Sequence, residues 1–201
     1  MPNPSPQMIL DYWFGHASDA LTTATRQAHI WWSKDPEIDA MIRTRFGALL
    51  EAAANEQLDT WEASPSSELA QIILLDQFPR NIYRNQPRCF AYDTQALALC
   101  LDGLGRQSDL ALRPVEQVFF YLPLEHAENL AHQQRSVELF TRLIDRVSHE
   151  QRAPFERFLE FAVRHRDIIA RFGRFPHRNN ILQRPSTPDE QEFLSLPGSS
   201  F

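Results

Sequence analysis

Asp76, His126 and His165 stand where helical periodicity asks for apolar residues. In SELAQIILLDQF, the stripe of Leu69, Ile72 and Ile73 predicts that position 76 faces inward, and it is an aspartate. The stripe Leu130, Val137, Phe140 and Ile144, extended backwards, reaches His126, and Phe155, Phe158, Ala162 and Ile169 put His165 on an apolar face. Burying an ionisable group costs several kcal/mol unless it is paired. One such residue is explained by a hydrogen bond to a carbonyl; three at once predict convergence on a single polar site. There a carboxylate, Asp76 or Glu125, would orient a histidine that titrates near neutrality and acts as general acid or base.

Arginine supplies the second half of this chemistry. Nineteen of the twenty basic residues are arginine, Lys34 being the exception, and a guanidinium fork matches phosphate and carboxylate oxygens. The chain is acidic overall, at net charge -6, yet residues 152 to 184 carry eight arginines against three acids. LLDQFPRNIYRNQPR places Arg80, Arg84 and Arg88 just after Asp76, and RFGRFPHRNNILQRPST places Arg174, His177 and Arg178 between two helices. The candidate catalytic residues are therefore His126, His165, His177, Asp76 and Glu125, with Arg80, Arg84, Arg166, Arg174, Arg178 and Asn179 as ligand-binding candidates. The expected ligand is an anionic small molecule, with hydrolysis or proton transfer as the fitting reaction. The alternatives are a helical scaffold that binds an acidic peptide, and a purely structural set of arginine pairs in which Arg174, His177 and Arg178 pin their loop against Asp76 and Glu125.

Other chemistries lack a signature. Glu125, His126, Glu128, His132, His165 and His177 form no HExxH-like spacing, so no metal is expected, and no GxSxG, GxxxxGK[ST] or GxGxxG motif implies a nucleophile elbow or a nucleotide cofactor. An acidic chain ranks nucleic acid last among partners. No apolar run reaches the roughly 18 residues of a membrane span. The two cysteines, Cys89 and Cys100, have no metal-like spacing, which predicts a reducing cytoplasm and no disulfide.

The elements that must position these residues read as helices throughout, with only six glycines and no hairpin signal. The expectation is an all-α chain: a short disordered lead-in over residues 1–5, then one helical domain over 6–201. Helices are predicted from Pro6 to Phe14, ended by Gly15; around Thr22 to Trp32; and from Pro36. Another, capped by Ser66 or Ser67, is ended or kinked by Pro79. Asp93 caps the next, with Gly103 and Gly105 as stops. A helix from Pro114 is broken by Pro123, and a long one follows from Leu124 to Val147. Pro154 opens a helix whose outer face, Arg157, Glu160, Arg164, Asp167 and Arg171, alternates in sign as a salt-bridged solvent face would. Gly173 ends it, and Thr187-Pro188-Asp189-Glu190 is a capping box for a last helix. DYWFG, HIWW and FFYL are expected to pack the core or its rim, with the adjacent Trp31 and Trp32 pointing in different directions.

DYWFG, WWSKDPEIDAMIRTRF, LAQIILLDQFPRNIYRN, FFYLPLEHAEN and HRDIIARFGRFPHRNNILQRPST occur in this order over nearly the whole chain, and together they resemble the bacterial family known as domain of unknown function 924. The resemblance implies an all-helical fold similar to the tetratricopeptide-like superhelix, and no particular reaction. Two positions depart from its pattern. Gln183 stands where LGRxST usually has glycine, which argues against a tight turn there, and Ala127 replaces the serine of EHSE, which removes a hydroxyl beside His126.

Overall fold

Residues 5–58 and 61–199 are described by a computed structural model; most of the lead-in expected at residues 1–5 lies outside them. The regular structure of the described residues is entirely helical, as the periodicity predicts. Helix α1 (Pro6–Phe14) stops at Gly15, whose φ of 64° suits glycine. Asp19 caps α2 (Ala20–Trp32) by accepting from the Thr22 amide, and Asp35 caps α3 (Pro36–Ala54). Ser64, rather than Ser66 or Ser67, caps α4 (Pro65–Ile72).

Pro79 does not end this run. The chain widens into a π-turn over Ile73–Gln77, in which the Phe78 amide donates to the Ile73 carbonyl, and continues as α5 (Phe78–Ile82). Proline has no N–H to donate and its ring crowds the carbonyl four residues back; a widened turn relieves both. Helix α6 (Asp93–Gly105) passes through Gly103 and ends on Gly105, the second of the two glycines expected to stop it. Gly103 serves packing instead, because a Cβ there would lie 2.5 Å from the Phe120 ring and 2.7 Å from the Glu68 carboxylate.

The predicted break at Pro123 is a second correction. Helix α7 (Pro114–His126) runs through that proline, and α8 (Leu130–Asp145) starts separately under an Asn129 cap. Residues 117–125 of α7 are all buried, so packing holds the last turn in place. Buried Gln133 then takes up the helix end, donating to the carbonyls of Leu124 at 3.4 Å, Glu125 at 2.5 Å and Ala127 at 2.9 Å.

Helix α9 (Arg152–Phe172) begins two residues before Pro154 and ends at Gly173, which is left-handed. Among the described residues its outer face does not show the predicted ladder. Asp167 pairs with its neighbour Arg166 at 2.6 Å, and Arg171 lies over the Phe172 and Phe193 rings at 4.6 and 6.0 Å. Helix α10 (Pro188–Leu194) has the expected capping box of Thr187 and Glu190. Gln183 adopts φ 54°, so the left-handed turn is made there without glycine, against the reading from the family pattern.

One apolar core joins residues from α1 through α9. Its centre is aromatic: Trp31 lies 4.6 Å from Phe119, Phe46 stacks on Phe78 at 4.9 Å, and the Trp31 indole donates to the Trp13 carbonyl at 2.8 Å. Trp32 points outward, 51% exposed, and stacks on Phe119. A smaller cluster of Ile168, Ile169 and Phe175, with Phe172 and Phe193 against it, roots the segment after α9.

Candidate functional site

The π-turn delivers Asp76 to the interior, fully buried, and α7 delivers His126 to meet it. His126 Nδ1 is 2.7 Å from Asp76 Oδ1, and Gln77 donates to the other carboxylate oxygen at 2.5 Å. Facing an ionised acid, Nδ1 carries the proton and donates it, which leaves the Nε2 lone pair available. Nε2 makes no hydrogen bond among the described residues, and the ring retains 14% exposure.

Beside this pair, His165 of α9 lies with its ring centroid 6.4 Å from that of His126. Its Nδ1 donates to the Phe161 carbonyl at 2.8 Å and stands 3.1 Å from Oε1 of Glu125, the residue before His126. Phe175 packs on His165 at 5.4 Å, and His177 follows at 5.6 Å from Phe175. The four candidates Asp76, His126, Glu125 and His165 are thus brought together, with His177 at their edge.

Two arginines complete the cluster through a carboxylate that the sequence showed only as a helix cap. Arg80 forks onto both oxygens of Asp93 at 2.9 and 3.0 Å and reaches Asp76 Oδ1 at 3.5 Å. Arg178 shares Asp93 at 3.4 Å and donates to the His126 carbonyl at 3.1 Å. Its guanidinium lies between the Phe90 and Phe175 rings, at 4.5 and 4.6 Å. Arg178 is 6% exposed, and its buried Nε has no hydrogen-bond partner among the described residues.

The remaining candidates lie apart from this cluster. Arg84 forks onto Asp39 at 2.6 and 2.7 Å beside α3, and Arg166 pairs with Asp167 on the outer side of α9. Arg174 forks onto Glu190 at 2.7 and 2.8 Å; Asn179 donates to the same carboxylate at 3.3 Å and accepts from Arg184 at 3.0 Å. Arg184 in turn forks onto Glu128, which also accepts from the Phe175 amide at 2.8 Å. The carboxylates that hold the segment after α9 are therefore Asp93, Glu128 and Glu190, in place of the Asp76 and Glu125 named from sequence. Glu190 was legible only as half of a capping box. Among the described residues no three His, Cys, Asp or Glu side chains are arranged to hold a metal ion.

Burial opposes every charge in this cluster, and the outcome differs from group to group. Burial works against the Asp76 carboxylate, but Arg80, His126 and Gln77 outweigh it and hold its pKa well below the usual range. Glu125 has no such support: burial, then the Asp76 charge, push it up to about 8. Burial lowers His126 as well, with Arg80 adding to it against Asp76. Burial pushes His165 down to about 3 and, with Arg178, His177 down to about 4. Burial and the neighbouring Arg80 bring Arg178 down to about 10. Near neutral pH the cluster holds ionised Asp76, protonated Glu125 and neutral imidazoles.

These directions fix how stability depends on pH. His165 and His177 are depressed, so the unfolded chain takes up protons below about pH 6.5 that the folded chain refuses, and stability falls as pH falls. Asp76 adds a loss below about pH 4. Glu125 is raised, so its contribution is complete below about pH 4 and is lost as pH climbs to about 8. The expected profile peaks near pH 6.5 and declines toward pH 8 by about 1.4 kcal/mol per unit. Urea unfolding across this range checks it, and Glu125→Gln should abolish the decline above pH 6.5 and steepen the rise below it.

A family model described as bacterial protein of unknown function (DUF924) matches residues 9–198. The chain belongs to the DUF924 family. This DUF924 protein is also similar to the solved structure of a protein of unknown function, ATU0120 from Agrobacterium tumefaciens. The two are 37% identical, the match covers 94% of this chain and 96% of that one, and the TM-score is 0.79. Among curated proteins none is significantly similar. No described helix of this DUF924 protein is long and apolar enough to cross a membrane.

Proposed function

We propose that the chain binds a small phosphate- or carboxylate-bearing anion at the Asp76–His126 cluster, and that His126 serves there as general base in a hydrolytic or proton-transfer reaction. The observation that carries this reading is the histidine itself. Its Nδ1 proton is taken by a buried carboxylate at 2.7 Å, while its Nε2 has no partner among the described residues. A carboxylate that fixes the tautomer and stabilises the imidazolium is how a histidine is made into a positioned base. Arg80 and Arg178 stand nearby, both already paired with Asp93, and the Arg178 Nε still lacks an acceptor among the described residues.

An acidic-peptide scaffold of tetratricopeptide-like type fits less well, because Arg84, Arg106, Arg174 and Arg184 already face carboxylates. A reducing cytoplasm is the compartment assigned with this reading, since both cysteines are free and buried. The test is thermal unfolding with inorganic phosphate and with pyruvate, on wild type, His126→Ala and Arg178→Lys. At a hundredfold excess over Kd, one of these anions should raise the wild-type midpoint by about 5–10 °C and the variants by much less. Equal shifts in all three proteins, or none in any, would overturn the reading.

A further inference from the structure

Glu125 is the one carboxyl of the cluster that is neither hydrogen-bonded nor paired with an arginine among the described residues. It is 4% exposed and makes no hydrogen bond among the described residues. His165 Nδ1 comes within 3.1 Å, but the proton on that nitrogen is donated to the Phe161 carbonyl, and an N–H cannot accept from a carboxylic acid. Glu125 is the penultimate residue of α7, where the negative end of the helix disfavours an anion. The ionised Asp76, which pairs with the very next residue, adds a second negative field. The other ionisable groups of the cluster are His126 on α7, His165 on α9, Arg80 on α5, Asp93 on α6, and Arg178 and His177 in the segment after α9. Both arginines direct their guanidinium groups to Asp93.

We propose that Glu125 is the proton donor of this site, a neutral carboxylic acid that gives its proton to an oxygen of the bound anion while His126 accepts one. This rests on the anion-site reading above. The ligand class it adds is a carboxylate or phosphate that carries, next to its charge, an acceptor oxygen such as a carbonyl or ester oxygen. In the step, a bond to hydrogen in the ligand, or in a water beside it, breaks and the proton passes to His126 Nε2. The Glu125 O–H breaks and its proton joins the acceptor oxygen. The resulting imidazolium and carboxylate return to their starting forms by passing one proton back, through solvent. Two groups with separated proton affinities, one kept charged-ready and one kept neutral, are what paired acid and base work requires.

Two measurements on the full chain test this. Infrared spectra over a pH series should show the carbonyl stretch of a protonated carboxylic acid at pH 7, fading as pH rises through about 8. The band should be absent in Glu125→Gln and shifted in Glu125→Asp. Calorimetric binding of pyruvate should weaken about tenfold per pH unit above that point in wild type and stay level in Glu125→Gln. The wild-type titration decides the matter even if a variant fails to fold. Pyruvate binding without the infrared band overturns the donor role and leaves the anion site standing. The band with no binding of pyruvate or of inorganic phosphate at any pH overturns the anion-site reading, and the donor role with it.

Discussion

Asp76→Ala is expected to lower the free energy of unfolding by about 3–5 kcal/mol, the cost of leaving buried charged and polar partners uncompensated. The substitution strips the Nδ1 proton of His126, the Gln77 amide and the longer of the two carboxylate contacts of Arg80 of their acceptor in a position water does not reach. Asp76→Asn keeps one acceptor oxygen and should cost clearly less, while reversing the tautomer preference that makes Nε2 the base. Urea unfolding at pH 6.5 measures both. A loss below about 1 kcal/mol for the alanine variant would mean that the pair is solvated, and the burial on which the site depends would be wrong.

The second large effect is expected at Glu190. Its carboxylate, 2% exposed, receives both arms of Arg174, the Asn179 amide and the Thr187 backbone amide, and hydrogen bonds from Arg174 lead in holding it down to about 2 despite burial. Glu190→Ala removes the acceptor for all four donors, one half of the α10 capping box among them, and should cost about 2–4 kcal/mol. The loss should also be local. Amide hydrogen exchange should accelerate from Arg174 to Thr187, the segment that carries His177 and Arg178 to the cluster, while the aromatic core around Phe119 stays protected. Arg84→Ala, which breaks a partly exposed pair with Asp39, should cost no more than about 1 kcal/mol and serves as the control. Uniform acceleration across the chain would show that the segment is not an independent unit.

Periodicity made the helices legible because each has an apolar stripe interrupted by residues that do not belong. Asp76 and His165 stood out for that reason, and the structure buries both beside each other's partners. Prolines misled twice. At Pro79 and Pro123 the local rule predicts a kink or stop, but a widened turn at the first and close packing around the second carry the helix through, and the Gln133 amide closes the end of α7 beyond. The arginines were the least legible. An Arg can be matched to an acid only by knowing which residues meet across 16, 45 or 85 positions, as Arg174 meets Glu190, Arg84 meets Asp39 and Arg178 meets Asp93. Asp93 carried no signal of this role, since a helix-starting aspartate looks the same whether it caps an amide, as the sequence suggested, or joins two guanidinium groups, as it does here.

The turn at Ile73–Gln77 holds one residue more than its neighbours need. Each α-helical residue advances the chain by about 100°, so this extra residue sets the phase of everything that follows. Arg80 comes round to the Asp76 carbonyl at 2.5 Å and to Asp93, and on the same swing Asn81 and Arg84 both arrive at Asp39. Shortening the run by a single residue would turn all three together, so one inserted residue indexes two separate carboxylates to their cations.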